Sequence, residues 1–296
     1  MNENQTPSDQ ESKEPSTSDV RIFTKPRSKF PGVGDIFAMF GIFIAAELIA
    51  TLATIIFGLT TTTGTATTTP EILGMKLSFS SLLSYVLALG GILLYRSARG
   101  GAGSIARLSP RGLNPMLILW GFLLLTAVGV VLEPLLRLLP SLPTEALGRG
   151  AWTMMAMVFF APVFEELICR GVVLESLRAK YGVWIAWFVS ALFFGAIHLQ
   201  PQLVVNAFFI GLIFAFLYIR TNSLWIVIIL HAMNNAIAYI AMMMGHSDFM
   251  LSNFITHRPL YLLIYWVAAA VCVVSSVMIF RVLKQLDAQE KNQPAV

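Results

Sequence analysis

The chain has 296 residues, of which 56% are hydrophobic and only 12% are charged. Water-soluble domains carry about a quarter charged residues, so an apolar excess this large requires lipid as the solvent for much of the surface. The net charge of +4 does not indicate a nucleic-acid partner, because the basic residues are scattered between apolar runs in the way typical of membrane topology.

Residues 1–34 are expected to form a disordered cytoplasmic tail, since they are rich in Ser, Thr, Pro, Glu and Lys and poor in large apolar side chains. Beyond the tail, apolar runs long enough to cross about 30 Å of hydrocarbon recur along the chain. Helices are expected because lipid offers no partner to unpaired backbone groups. Eight spanning helices are predicted at Ile36–Leu59, Ser78–Tyr95, Met116–Leu132, Trp152–Arg178, Val183–His198, Leu203–Tyr218, Leu224–Met244 and Tyr261–Phe280.

The fold class predicted from these runs is all-α, a polytopic membrane bundle of about eight transmembrane helices. With the N-terminus inside, 16 of the 20 basic residues fall in the inner segments. Four remain outside, namely Lys76, Arg137, Arg149 and Arg258. This bias is what the positive-inside rule predicts. Both termini are therefore expected in the cytoplasm, with the chain integral to the plasma membrane.

The fourth predicted helix carries ionisable side chains, each of which costs about 3 kcal/mol inside a membrane. Glu166 and Arg170 are spaced i,i+4, so they share a face and can pair. Glu165 is rotated about 100° away from Glu166 and can face something else. Pro162 removes a backbone hydrogen bond one turn earlier and is expected to kink the helix.

Polar residues on two other predicted helices reach a similar depth. His198 follows Phe194 by one turn, and Asn235 follows His231 by one turn. At 1.5 Å per residue, Glu165 lies about 20 Å from the inner end of its helix, His198 about 22 Å, and the third pair roughly 16–22 Å. The three helices can therefore converge on one shared site.

This alignment takes Arg178 as the inner end of the fourth helix. It requires Arg170 and Glu175 to be buried in protein or in a wet cavity.

The chemistry of this set permits two interpretations. A carboxylate beside a histidine can hold a water and remove its proton, while a second histidine and an asparagine amide can donate to an oxyanion. Together they could hydrolyse a peptide bond without a covalent intermediate. Equally, Glu165, His198 and His231 could be the three ligands of an open zinc site, and the sequence alone does not separate the two.

Other classes of intramembrane protease are excluded more firmly. Every aspartate lies outside the predicted helices, so an aspartyl dyad is impossible. The chain has no His-Glu-x-x-His zinc-protease motif and no Gly-x-Ser-x-Gly elbow, which disfavours a serine mechanism.

Three motifs in this order on successive apolar helices resemble those of the CAAX-processing and bacteriocin-processing (CPBP, Abi-type) intramembrane proteases, a family that includes the Ras-converting CAAX endopeptidase. The motifs are Glu165-Glu166-x-x-x-Arg170, Phe194-x-x-x-His198 and His231-x-x-x-Asn235. The resemblance covers roughly residues 152–244. It implies that Glu165 and His198 activate water and that His231 and Asn235 stabilise the oxyanion.

The resemblance also implies supporting roles for Glu166, Arg170 and Phe194, and a helical bundle with a cavity open towards the cytosol. It implies an endopeptidase that acts on a membrane-associated or lipidated peptide, with no cofactor expected because the Glu/His water site needs no metal. The chain then divides into the tail at 1–34, N-terminal transmembrane helices at 35–150, a CAAX-protease-like catalytic core at 151–245, and the last transmembrane helix with a cytoplasmic tail at 246–296.

Two functions from other classes stay open. In a proton-coupled transporter, Glu47, Glu165, Glu166 and the two histidines would relay protons. In a non-catalytic immunity or scaffold protein, the same groups would only hold the helices together. Glu47 is the one ionisable residue of the first predicted helix, and we interpret it as a snorkelling, protonated or helix-pairing side chain rather than a catalytic one.

Overall fold

A computed structural model describes residues 30–57, 69–101, 103–140, 148–244 and 250–292. Residues 1–29 of the predicted tail lie outside this part of the chain. Phe30 is buried in the core and the first helix begins at Val33, so the last residues assigned to the tail belong to the folded part.

The described residues form a helical bundle without strands, as predicted for the all-α class. We number its long helices α1 (Val33–Ile56), α2 (Pro70–Ala98), α3 (Pro115–Leu136), α4 (residues 151–181), α5 (Val183–Ala196), α6 (Pro201–Thr221), α7 (Leu224–Met243) and α8 (Arg258–Lys291). Two shorter helical segments, Pro110–Leu113 and Leu251–Phe254, lie between them.

Six helices of the described chain, all of the long ones except α4 and α5, have the length and apolar composition to cross a membrane. Helix α5 has 14 residues, which reach about 21 Å. The chain is a multi-pass membrane protein, while the count of eight crossings and the orientation of the termini stay predictions.

Proline and a polar cap set where several helices begin. Thr69 precedes Pro70 at the start of α2, and its hydroxyl accepts a hydrogen bond from the Ile72 backbone. Asn114 does the same for α3, one residue before Pro115. Proline suits the first turn because its missing N–H would have no partner there.

Helix α4 is the buried centre of the bundle. It contacts α2, α5 and α7, while α1 packs on α2, α5 on α6, and α3 on α8. Residues 168–177 of α4 are all buried, including Arg170 and Glu175 as the depth alignment requires. A helical segment buried on every side is placed to present groups to several neighbours at once.

The backbone of α4 is not uniformly α-helical. Two stretches, Met155–Phe160 and Leu167–Leu174, are π-helical and flank the α-helical segment Ala161–Glu166. The sequence predicted a kink at Pro162, and the structure shows a widened π turn immediately before that proline. The segment that carries both central glutamates is thus set between two wide turns, a feature frequent at functional sites.

Helix α8 continues 11 residues past the predicted end at Phe280, into the segment assigned to the C-terminal tail. Asp287 near its end pairs with Arg111 and, at 2.9 Å, with Arg220. These ion pairs hold the extension against the loop before α3 and the end of α6, which explains why polar residues remain helical there.

Candidate active site

Glu165 on α4 lies between the two histidines predicted from the sequence. Its Oε2 atom is 3.9 Å from Nε2 of His198 and 3.8 Å from Nε2 of His231. The side chain is buried, and Oε2 has no hydrogen-bond partner among the described residues. An unpartnered buried carboxylate oxygen is costly unless something occupies the space that it faces. The three atoms therefore define a small polar site.

His198 lies in the turn that ends α5. The His198 backbone N–H donates to the Gly195 carbonyl, which leaves the Phe194 carbonyl without its helical partner. His198 Nδ1 forms a hydrogen bond with that Phe194 carbonyl at 2.8 Å. A carbonyl only accepts, so Nδ1 carries the hydrogen. In the neutral ring, Nε2 then presents a lone pair towards Glu165. The Phe194 ring packs edge-on against the imidazole at 5.0 Å and keeps it in place.

His231 on α7 is oriented in a parallel way by a different acceptor. Its Nδ1 atom is 3.0 Å from Oε1 of Glu166. A carboxylate accepts the hydrogen from Nδ1, so Nε2 of the neutral ring is again unprotonated. Both imidazoles thus aim an acceptor nitrogen at the same side of Glu165.

Glu166 and Arg170 form the ion pair that their spacing predicted, with Nη1 3.0 Å from the carboxylate. Neither side chain has any exposed surface. Arg170 also donates from Nη2 to the Gly211 carbonyl at 3.0 Å, and its guanidinium carbon lies 4.4 Å from the centre of the Phe194 ring. The pair therefore connects α4 to α5 and α6 behind the two histidines.

Asn235 does not point freely into the site, because its Nδ2 atom donates to the Met157 carbonyl at 3.0 Å. In the π register of α4, the Ala161 N–H bonds to Ala156. The corresponding partner of Met157 would be Pro162, which has no N–H. The proline thus leaves a carbonyl that the asparagine occupies. An amide nitrogen has two hydrogens, so the second remains to donate elsewhere.

The sequence reading missed Tyr85 on α2, whose hydroxyl donates to Oε1 of Glu165 at 2.8 Å. The signal was a phenol in the middle of an apolar helix, since a buried tyrosine hydroxyl usually has a partner. The neighbouring Ser84 donates to Oε1 of Glu47 at 2.6 Å, so Glu47 pairs α1 with α2.

A zinc ion would need two unprotonated imidazole nitrogens and a carboxylate oxygen, and the polar site around Glu165 supplies them. Ligands of tetrahedral zinc lie about 3.3 Å apart, so the histidines would have to move inwards by about 0.5 Å. As they stand, the described residues contain no group of three or more His, Cys, Asp or Glu side chains arranged to hold a metal ion. The absence of a metal stays the prediction, and the zinc site stays the alternative that the sequence left open.

Comparison with known proteins identifies the segment that carries this site. Residues 147–237 match the sequence model of the Rce1-like family, described as type II CAAX prenyl endopeptidase Rce1-like. A Bacillus subtilis protein named "Putative membrane peptidase YdiL" is 33% identical over 79 residues, which cover 27% of this chain and 32% of that protein. An "Uncharacterized 24.3 kDa protein" of Escherichia coli is 30% identical over 118 residues, or 37% of this chain and 52% of that protein.

The chain thus spans about a third and about half of the length of these two relatives. No solved structure matches it. The matched segment contains all seven residues of the three motifs.

Proposed function

We propose that this chain, whose residues 147–237 match the Rce1-like model, belongs to the CAAX-processing and bacteriocin-processing protease family. We propose further that it is an intramembrane endopeptidase that hydrolyses peptide bonds of membrane-associated or lipidated substrates. The observation that carries the proposal is the convergence of Glu165 Oε2 with Nε2 of His198 and of His231. Three basic atoms around one buried point can hold and activate a water.

The first step is activation of that water. Oε2 of Glu165 and Nε2 of His198 each accept one of its two hydrogens, which leaves the lone pairs of the water oxygen for the substrate carbonyl. Glu165 takes the proton as the new C–O bond forms. The proton then moves to the nitrogen of the leaving amine as the C–N bond breaks, so the carboxylate is regenerated.

The second step is stabilisation of the oxyanion. The uncommitted N–H of Asn235 is a fixed donor for it. His231 can donate from Nε2 only as the imidazolium, since the hydrogen of the neutral ring is on Nδ1. The Glu166 carboxylate is compatible with that form, because it accepts from Nδ1 whether or not the ring is charged. The family role of His231 therefore requires that the ring carries a hydrogen on both nitrogens before the water attacks, whereas Asn235 donates without any proton transfer.

Purified protein in liposomes tests the proposal with a farnesylated CAAX-type peptide that carries a fluorophore and a quencher. The wild type should cleave it, and Glu165→Gln should lower the rate at least 100-fold. Glu71→Gln is the matched control, since that carboxylate is exposed at the start of α2. The same peptide without its lipid measures the preference for lipidated substrates. An equal loss of cleavage rate in Glu165→Gln and Glu71→Gln would contradict the assignment of Glu165.

The same preparation separates the alternatives. Proton flux that depends on Glu165, without cleavage of any peptide, would identify a transporter. Neither flux nor cleavage, with partner binding unchanged in Glu165→Gln, would favour a scaffold. We expect no zinc in the active protein, and a stoichiometric amount by elemental analysis would overturn the metal-free mechanism.

A further inference from the structure

Helix α2 connects two carboxylates that lie on different helices. Ser84 donates to Glu47 on α1 at 2.6 Å, and the next residue, Tyr85, donates to Glu165 on α4 at 2.8 Å. Consecutive residues of a helix project about 100° apart. Helix α2 therefore turns one hydroxyl towards each neighbour.

Tyr85 is held to α4 by its ring as well as by its hydroxyl. The ring stacks on Phe164, with centroids 5.7 Å apart and planes within 6°. Phe164 directly precedes Glu165, so the aromatic contact and the hydrogen bond fall on consecutive residues of one helix. A phenol with two attachments this close has little freedom to move relative to the carboxylate.

Tyr85 donates to one carboxylate oxygen of Glu165, and the other oxygen faces the two histidines. With Oε1 held by Tyr85, Oε2 is directed at the two imidazoles and has no other hydrogen-bond partner in the described chain. The final torsion of a glutamate side chain is broad when nothing fixes it. A charge-assisted hydrogen bond to a single oxygen removes that freedom.

We propose that Tyr85 is the positioning residue of Glu165, and that the Ser84–Glu47 bond sets Tyr85 by fixing the rotation of α2; the proposal rests on the proposed hydrolytic function. Tyr85 touches neither water nor substrate in this role. It acts through Glu165, and Glu47 acts through Ser84 and Tyr85. Glu47, the carboxylate in the middle of α1, thereby supports the site rather than taking part in the chemistry.

Tyr85→Phe tests the proposal, because it keeps the stack on Phe164 and removes only the hydroxyl. We expect kcat to fall about tenfold, the size of a lost hydrogen bond to a charged group, with KM within twofold of wild type. Tyr95→Phe is the matched control: Tyr95 also donates to a carboxylate, Asp35, and packs on a phenylalanine, Phe30, but away from the site. Wild-type kcat in Tyr85→Phe, or an equal loss in Tyr95→Phe, would overturn the proposal.

A readout that needs no turnover separates this proposal from the proposed function. Carbon-13 glutamate labelling gives an infrared carboxylate band that is assigned to Glu165 by its absence in Glu165→Gln. That band should shift in Tyr85→Phe and stay in place in Tyr95→Phe. If wild type cleaves nothing but the band shifts, the enzyme assignment fails and the positioning stands; an unshifted band rejects the positioning even in an active enzyme.

The contribution of Glu47 is tested by a double-mutant cycle. Glu47→Leu removes the acceptor of the Ser84 hydroxyl, whereas Glu47→Gln keeps an acceptor oxygen and should restore most of kcat. Combined with Tyr85→Phe, Glu47→Leu should add little to the loss in kcat, because both act through one bond. Fully multiplicative losses would show that Glu47 works independently of Tyr85.

Discussion

His231 on α7 donates through Nδ1 to the Glu166 carboxylate on α4, 3.0 Å away, and that carboxylate is itself held by Arg170. A histidine of the site is therefore oriented by an ion pair with no contact with solvent. In the proposed mechanism the pair acts only indirectly, and its loss should disturb both the fold and the position of the ring.

Arg170→Met should destabilise the protein by about 3–5 kcal/mol, because the Glu166 carboxylate would stay buried without its partner. Thermal and denaturant unfolding in detergent would measure the loss. Arg137→Met is the control, since Arg137 also pairs with a glutamate four residues away but is half exposed, at 4.0 Å from it. Its removal should cost less than about 1 kcal/mol, and similar losses in the two variants would refute the distinction.

His198→Ala should lower kcat/KM by about 10²- to 10⁴-fold, since the water would lose one of its two acceptors. Peptide cleavage by protein in liposomes is the measurement. His257→Ala serves as the control, because that histidine is exposed at the start of α8. Retention of wild-type activity in His198→Ala would remove this residue from the mechanism.

Asn235→Ala should reduce kcat by about 10²- to 10³-fold with little change in KM, the pattern of a donor that acts on the oxyanion. The neighbouring Asn234→Ala provides the comparison, since among the described residues the Asn234 amide makes only a long contact of 3.5 Å, with Asn235. A rise in KM at constant kcat would instead assign Asn235 to substrate binding.

Gly195→Ala should lower both stability and kcat. A Cβ atom at this position would lie 2.8 Å from the Val204 carbonyl, so α5 and α6 would have to separate and His198 would move with them. We expect a loss of about 1–3 kcal/mol in the free energy of unfolding. Gly129→Ala, in open space on α3, should instead stabilise the helix by up to about 1 kcal/mol. Equal stability of the two variants would contradict the close packing of α5 and α6.

The orientation in the membrane is tested by single cysteines that react with a membrane-impermeant maleimide. Arg258→Cys should be labelled in intact cells, whereas Lys180→Cys and Lys284→Cys should react only after the inner face is exposed. The reverse pattern would invert the proposed topology. Labelling of all three from one side would reject the present count of crossings between them.

The sequence predicted the meeting of Glu165 with the two histidines because helices are stiff rods with a fixed rise per residue. Counting along three such rods gave similar depths, and the structure places the three side chains within 4 Å. The i,i+4 pairing of Glu166 with Arg170 followed from the same regularity. Their catalytic roles stay predictions.

The parts that escaped prediction depend on contacts between helices far apart in the chain. Tyr85 meets Glu165 across 80 positions, and no local pattern indicates which face of α2 turns inward. The carbonyl that binds Asn235 depends on the π register of α4 as well as on the missing N–H of Pro162, and the sequence did not predict that register. Which imidazole nitrogen carries hydrogen follows only from seeing its acceptor.

The missing N–H of Pro162 determines which group binds the Met157 carbonyl. With no hydrogen on its nitrogen, it leaves the Met157 oxygen vacant, and Asn235 from another helix docks there. Pro162→Ala would restore a competing N–H within α4 and could release the amide to rotate. Pro162 has no reactive group, yet it determines where the Asn235 amide is held. The orientation of a candidate catalytic side chain thus depends on an imino acid in another helix.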